Sequence, residues 1–376
     1  MVWPGCTGGA LDNLESLIVA LTHLVDLAES ETISDLSAVL LDKLLFGLAT
    51  NTFKGAWSSA RRAGVWPDIL NGRLDPTAGI CRLLWGMGVF NDQIAGIVAL
   101  SDSDSYEVPS LIQAAALDLS EPLWSRESHR TRGEAVSTVT YRTGSGMLSS
   151  AQAYRSGSRG QSEQIWQAIL SPDAVVFTNH PAYATDYAAP GFWCGSAVLP
   201  RAAQWHDALI AVYNGADAGM DFTHAYFPLW AFDDYVLGNR WAFARVGQAY
   251  LALGSTNELF LMTTGPGAAR ELRSPGRASI WLCQMGSAEQ DGDFAAFQTR
   301  VSGGTLLVNG QSVDWTTVRG DRLQFGWEGD FRVNGVVTPL QFEQHIENRY
   351  CASGVQQDSM DIQIKDFVMR LNFGLE

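Results

Sequence analysis

The spacing of apolar residues predicts helices in the first third of the chain. Apolar positions recur every three or four residues, as they do on the buried face of an amphipathic helix. Ser34 is the predicted N-cap of the second helix, since its hydroxyl can accept from the first free backbone amides. The predicted helices cover residues 11–28, residues 34–49, a segment that ends near Gly86 or Gly88, and a segment from Pro109–Ser110 to about Asp118.

The pattern changes near His129, where short apolar runs separated by Gly, Pro, Asn and Asp begin. The runs predict strands over residues 135–141, 174–178, 209–213, 243–253, 259–262, 280–285, 294–301, 305–308 and 323–325. Strands at this density, with few helical patterns between them, favour a large antiparallel β-sandwich over a βαβ fold. We therefore expect an α+β chain with an α-helical domain over residues 1–128 and a β-sandwich domain over 129–376. The last segment, 341–376, fits either an edge of a sheet or a short helix followed by a strand.

Composition narrows the class of partner. The 376 residues are 46% hydrophobic and carry a net charge of −15, and only three of the 25 basic residues are lysines. Such an acidic surface repels a phosphate backbone, so we expect no nucleic-acid partner. An acidic polysaccharide stays possible, because a local arginine can bind a carboxylate through two hydrogen bonds inside an acidic protein.

Cysteine, motif and hydropathy patterns exclude several other classes. The five cysteines are scattered without the CxxC spacing of a zinc site or the density of a disulfide scaffold. No HExxH, phosphate-loop, dinucleotide-binding or GxSxG motif occurs, so we predict no metal and no cofactor. No run of 18 apolar residues predicts a membrane helix, and no secretory signal pattern is visible. The compartment stays open, since a preceding segment would make the chain secreted or periplasmic.

Residues 161–244 combine aromatic rings, histidines and turns. The stretch holds 16 of the 40 aromatic residues and three of the six histidines. Its VVFTNHP and DFTHAYFP segments, with SYEVPSLIQAAALDL and YRTGSGMLSSAQAYRSGSRGQSEQIWQAIL, resemble the heparinase II/III-like class of polysaccharide lyases. That resemblance implies an α-helical toroid followed by a multi-sheet β-sandwich. The helical part is shorter than a complete toroid of the class and offers only His23 and Tyr106 for the usual toroid His and Tyr. A partial toroid, from a truncated relative or a C-terminal portion, is therefore implied.

A lyase of this kind cleaves next to a uronic acid by β-elimination. It must neutralise the carboxylate, remove the neighbouring C–H proton and protonate or stabilise the leaving oxygen. Asn179 is the candidate for neutralisation, His180 and His224 for base or neutraliser, and Tyr226 for acid or base. His224 and Tyr226 are two residues apart, so they share one face of a strand. Each of these residues also fits an ordinary place in a turn or an aromatic core.

Four further residues are candidates for substrate binding. Arg201 can hold a substrate carboxylate, or pair with a structural partner such as Asp207. Trp166 and Trp193 can stack on a sugar ring, although most tryptophans in a sandwich belong to its core. His206, next to Trp205, is the fourth candidate.

Two other functions stay open. A glycoside hydrolase needs two facing carboxyl groups, one of which Asp233 or Asp234 can supply. A non-catalytic carbohydrate-binding or structural sandwich needs none of this chemistry. The leading hypothesis is a lyase acting on an acidic polysaccharide or oligosaccharide.

Overall fold

The computed structural model describes residues 10–61, 67–131, 134–160, 162–182, 190–194, 196–215 and 220–374. Five of the described α-helices precede the main sheets, and three lie among the strands. The α-helices are α1 (Ala10–Leu27), α2 (Glu31–Asn51), α3 (Ala78–Trp85), α4 (Ala95–Asp102), α5 (Ser110–Leu117), α6 (Pro190–Trp193), α7 (Ala288–Asp291) and α8 (Phe294–Gly303).

The helix predictions in the first third are confirmed, apart from the start of α2 and the presence of α4. Helix α3 ends at Trp85, and Gly86 follows in the left-handed conformation with φ of 75°, which glycine adopts without a steric penalty. Helix α2 begins before Ser34, whose hydroxyl donates to the Val25 carbonyl at 2.8 Å instead of capping. Helix α4 was not predicted from the sequence.

Twenty-five strands are described, and all their pairings are antiparallel. They are β1 (Thr52–Phe53), β2 (Ala56–Trp57), β3 (Leu123–Thr131), β4 (Glu134–Arg142), β5 (Met147–Gln152), β6 (Trp166–Ser171), β7 (Ala174–Asn179), β8 (Arg201–Trp205), β9 (Ala208–Asn214), β10 (Phe222–Tyr226), β11 (Asp234–Leu237), β12 (Trp241–Val246), β13 (Ala249–Ser255), β14 (Phe260–Leu261), β15 (Glu271–Pro275), β16 (Ala278–Ser287), β17 (Leu306–Asn309), β18 (Ser312–Thr316), β19 (Arg322–Gly326), β20 (Arg332–Val333), β21 (Val336–Val337), β22 (Gln344–Asn348), β23 (Cys351–Gly354), β24 (Ser359–Ile364) and β25 (Phe367–Asn372).

The strands form three larger sheets and two hairpins. The ten-stranded sheet has the order β14-β15-β10-β7-β6-β5-β4-β3-β22-β23, and the six-stranded sheet has the order β11-β12-β13-β16-β9-β8. Strands β17 to β21 form a five-stranded meander, while β1 pairs with β2 and β24 with β25. Because β22 joins the ten-stranded sheet beside β3, the end of the chain extends a sheet that begins at residue 123.

The sheets and helices share apolar cores. Trp166 of the ten-stranded sheet and Trp281 of the six-stranded sheet belong to one buried cluster, so the two sheets share an apolar core. The opposite face of the six-stranded sheet packs on the five-stranded meander around Trp315. A third cluster joins Leu45 of α2 to Ile362 of β24, so the C-terminal hairpin completes the core of the helical layer. The chain is therefore α+β with antiparallel sheets.

Two strand predictions are wrong. Residues 294–301 form helix α8, because Asp293 caps it by accepting from the Ala296 amide at 2.7 Å and because Phe294, Phe297 and Val301 are buried at helical spacing. Residues 243–253 form the hairpin β12–β13, which turns at Gly247 with φ of 56°. The open choice for the tail is settled by four strands in the described part of 341–374.

Three features bear on the expected domain division and class of protein. Strand β3 starts at Leu123, close to the predicted division at residues 128/129, and the division itself stays a prediction. Among the described residues, no helix is both long and apolar enough to span a bilayer. The four cysteines in the described part of the chain are buried free thiols.

Candidate functional site

The residues predicted to be catalytic come together on the ten-stranded sheet. Strands β7 and β10 are neighbours, and their register places Asn179 opposite His224. The ring of Trp193 stacks on His224 with centroids 4.6 Å apart and meets Tyr226 edge-on at 5.3 Å. His224 and Tyr226 therefore share one face of the strand, as the alternation of side chains predicts.

The hydrogen bonds of His224 hold the end of helix α6 in place. Its Nδ1 lies 3.0 Å from Glu271 Oε1, and its Nε2 lies 2.9 Å from the carbonyl oxygen of Phe192. That carbonyl also accepts from Asn179 Nδ2 at 3.0 Å. Burial lowers the pKa of His224, and the hydrogen bond to Glu271 opposes this shift. These contacts attach Phe192 and Trp193, the last two residues of α6, to the ten-stranded sheet.

His180 and Tyr226 are equally enclosed. His180 Nε2 lies 3.0 Å from the Met220 carbonyl oxygen, and burial lowers the pKa of this histidine. Burial raises the pKa of Tyr226 to about 12. Asn179, His180, His224 and Tyr226 are each at most 3% exposed, so a substrate reaches none of them without moving the residues above them.

The residues predicted to bind substrate lie apart from one another. Arg201 donates to the carbonyls of Gly326 and Gly329, both at 2.7 Å, and therefore ties the six-stranded sheet to the meander. Trp166 and Trp193 are at most 1% exposed and belong to apolar cores. His206 lies in the turn between β8 and β9 with φ of 48°, and its ring packs on Trp124 at 4.1 Å.

A cleft between helix α2 and the β3–β22 pair of the ten-stranded sheet gathers other reactive side chains. Its cavity volume is about 70 Å³, room for a few water molecules. Lys43, Asn51, Ser59, Glu127, His129 and His345 supply its polar lining, and its apolar lining comes from Leu14, Leu44, Phe46, Leu48, Trp57, Ile346 and Met360. We call this the α2–β3–β22 cleft.

Glu127 is the carboxyl group of the cleft. Asn51 donates from Nδ2 to Glu127 Oε1 at 3.0 Å, and the Ser125 hydroxyl lies 3.5 Å from the same oxygen. The Glu127 side chain is 12% exposed. Burial raises the pKa of Glu127, and these two hydrogen bonds oppose the shift. Burial therefore favours the protonated carboxyl group, which is able to act as an acid.

Two neutral histidines face each other across β3 and β22. His129 Nε2 lies 3.1 Å from Thr138 Oγ1 and 3.4 Å from Glu127 Oε2. The His129 and His345 rings meet edge-on with centroids 6.4 Å apart. Burial lowers the pKa of His129 well below its usual value, so its imidazole is uncharged near neutral pH.

His345 has a defined tautomer because its Nδ1 lies 3.2 Å from the Ser128 carbonyl oxygen, which can only accept. In the neutral ring Nδ1 therefore carries the hydrogen and Nε2 the lone pair. The β22–β23 register shifts between Gln344 and Ile346, so His345 occupies a β-bulge, a feature that re-aims a side chain. Burial, together with the charge of Lys43, lowers the pKa of His345 to about 4.

The sequence pattern did not predict this cleft, although part of a signal was present. Glu127 and His129 alternate in β3 and so share one face, but the polar run from Ser125 to Arg130 lacks the apolar residues that predict a strand. Asn51 and Lys43 lie in a helix whose apolar stripe dominates its pattern. The bulge at His345 has no signature in the sequence that would place it beside β3.

Comparisons with known proteins add no name to this geometry. No family model and no curated protein matches the chain. In the described part of the chain, no three side chains of His, Cys, Asp or Glu are grouped as metal ligands would be.

Proposed function

We propose that the chain is a carbohydrate-active enzyme, a polysaccharide lyase that cleaves a uronate-containing polymer by β-elimination in the α2–β3–β22 cleft. In this proposal the helices are a partial toroid and the stacked sheets a β-sandwich, as in the heparinase II/III-like class that the sequence resembles. The observation that carries the proposal is the combination, in one cleft, of an uncharged imidazole with an available Nε2 and a single buried carboxyl group.

The number of carboxyl groups that line the cleft favours elimination over hydrolysis. A glycoside hydrolase uses two carboxyl groups that flank the scissile bond. Glu127 is the only carboxyl group among the described residues that line the cleft. The rival candidates, Asp233 and Asp234, lie elsewhere, and Asp233 accepts from the Gly247 amide at 2.7 Å in a hairpin turn. Elimination needs one base and one acid, which His345 and Glu127 supply.

The proposed step is a proton transfer coupled to bond cleavage. His345 Nε2 takes the proton from C5 of the uronate, and the electron pair of that C–H bond forms the C4–C5 double bond. The C4–O bond then breaks, and the protonated Glu127 carboxyl gives its proton to the departing oxygen. The products are a new hydroxyl end and an unsaturated uronate, and no external oxidant or reductant is needed.

The small volume of the cleft gives the reaction a preferred geometry. Because the cavity volume is only about 70 Å³, we expect no more than a single uronate residue to enter the cleft while the rest of the polymer stays outside. Chain ends and sharply bent chains satisfy this requirement. Products released one or two residues at a time would support entry from an end.

The test follows two signals in the same reaction with a panel of uronate polysaccharides. Elimination produces the ultraviolet absorbance of the unsaturated uronate together with new reducing ends. Reducing ends without absorbance would support a hydrolase, and polymer binding without either signal would support a binding module. His345→Ala should abolish both signals, whereas His23→Ala, which removes an exposed histidine of α1, should leave them unchanged.

Circular dichroism and thermal unfolding of both variants separate loss of catalysis from loss of fold. If folded His345→Ala protein turns over as fast as wild type, the cleft is not the site of elimination.

A further inference from the structure

Lys43 is the one lysine that lines the cleft, and it forms no ion pair with a carboxylate among the described residues. Its ammonium lies 4.8 Å from the centre of the Phe373 ring, in a cation–π contact. Burial lowers the pKa of Lys43, and the nearby Cys351 and Glu127 oppose this shift. A cation held in a partly buried cleft without a carboxylate partner is poorly compensated.

The charged and titratable groups around His345 come from three elements. Lys43 lies on α2, while Glu127 and His129 lie on β3. Cys351 of β23 interacts with Lys43, and burial raises the pKa of its thiol to about 12, so the thiol stays uncharged. Since His129 is also uncharged and Lys43 forms no ion pair with a carboxylate among the described residues, Lys43 places a positive charge near His345 that lowers the pKa of this histidine.

We propose that Lys43 binds the carboxylate of the ligand and that this binding makes His345 basic enough to act. The inference rests on the proposed use of the cleft, and it adds a specificity residue and a means of activation. In the empty cleft the ammonium repels a proton on His345. A bound carboxylate balances the ammonium, so protonation of Nε2 becomes more favourable. A neutral sugar leaves the repulsion in place and His345 weakly basic.

This arrangement selects substrates by charge without an arginine. Uronate residues would be bound and would raise the basicity of His345, whereas the matching neutral hexose would do neither. The same ammonium would stabilise the negative charge that develops on the carboxylate group as the C5 proton leaves. Lys43 would therefore affect turnover as well as binding.

The experiment measures the pKa of His345 by NMR with two monosaccharide probes, D-glucuronate and D-glucose, at constant ionic strength. The His345 resonances are assigned by comparison with His345→Gln. In the wild-type protein glucuronate should raise the pKa of His345 by about one unit or more, and glucose should leave it unchanged.

Lys43→Met separates the two parts of the proposal. Removing the ammonium should raise the pKa of His345 in the empty cleft and weaken glucuronate binding by about tenfold to a hundredfold. Lys54→Met is the matched control, since Lys54 is exposed and also lies over a phenylalanine ring, at 5.0 Å from the centre of Phe53. It should change neither quantity. Lys43→Arg, which keeps the charge, should retain the response to glucuronate.

The outcomes distinguish this inference from the proposed lyase activity. A glucuronate response that requires Lys43, in a protein that cleaves no polymer, would keep the carboxylate site and remove the lyase. Elimination that proceeds equally well in Lys43→Met would keep the lyase and overturn the role of Lys43. An unshifted His345 in saturating glucuronate would overturn the activation step.

Discussion

Replacing Asn51 by Leu tests the network that holds the carboxyl group of the cleft. Asn51 is the last residue of α2, is 4% exposed and donates to Glu127 Oε1 at 3.0 Å. The change removes a hydrogen bond to a charged group, worth about 1.5–3 kcal/mol. It also removes the acceptor of the Thr140 hydroxyl, at 3.3 Å, worth about 1 kcal/mol. At a pH above the folded-state pKa of Glu127, we expect the free energy of unfolding to fall by about 2.5–4 kcal/mol.

The loss of stability caused by Asn51→Leu should depend on pH in a predictable direction. Burial raises the folded-state pKa of Glu127 above its usual value of 4.5, so the folded protein binds this proton more tightly than the unfolded chain does. The Asn51 donor stabilises the ionised carboxylate, which is present above the folded pKa and is lost as the pH falls through it. The penalty of Asn51→Leu should therefore be larger at about pH 8 than at about pH 5.

Urea unfolding at both pH values, in wild type, Asn51→Leu, Glu127→Gln and the double variant, measures the penalty. Without a charge at position 127, we expect Asn51→Leu to cost about 1–2 kcal/mol less than in the parent. A penalty that is the same at both pH values and in both backgrounds would show that Asn51 does not support an ionised Glu127, and the reasoning would fail.

Two further predictions concern residues outside the cleft. Tyr226→Phe should change the free energy of unfolding by no more than about 1 kcal/mol and leave polymer turnover intact, because the hydroxyl makes no hydrogen bond with a described residue. Folded but inactive protein in the turnover assay would place the active site at His224 and Tyr226 instead of the cleft. Asp75→Asn should cost about 3–5 kcal/mol in urea unfolding, because the Arg61 guanidinium, 3.0 Å away and only 2% exposed, would keep its charge without a partner. Its control is Asp173→Asn, whose half-exposed pair with Arg73 should contribute less than about 1 kcal/mol; equal losses in the two variants would contradict the argument.

The sequence predicts elements better than it predicts which elements meet. The apolar spacing of α1 and the left-handed position at Gly86 are local signals, and both predictions agree with the structure. Helix α8 was mistaken for a strand because its aromatic residues are also common in strands, and the Asp293 cap outweighs that preference. The local sequence pattern therefore predicts the wrong element where a single capping residue decides between a helix and a strand.

The sequence predicts the candidate site less well than it predicts the secondary-structure elements. His224 and Tyr226 were predicted because they lie two residues apart in the sequence and are chemically suitable, yet their burial depends on the residues that cover them. Lys43 and His345 are more than 300 residues apart in the chain, and they line one cleft because β22 pairs with β3 and α2 lies beside that pair. A single sequence contains the residues of such a site without the distances between them.

The pairing of β22 with β3 also fixes the order in which the protein can become functional during synthesis. Helices α1 to α5 leave the ribosome first, but their core includes Ile362 and Leu371 from the final hairpin. Until those residues emerge, the edge of β3 lacks its partner strand and the helical layer exposes apolar surface, both of which favour aggregation. His345 arrives in the same late segment, so the nascent chain gains the proposed base only when its scaffold closes, and a chain that stops short of β22 would lack both.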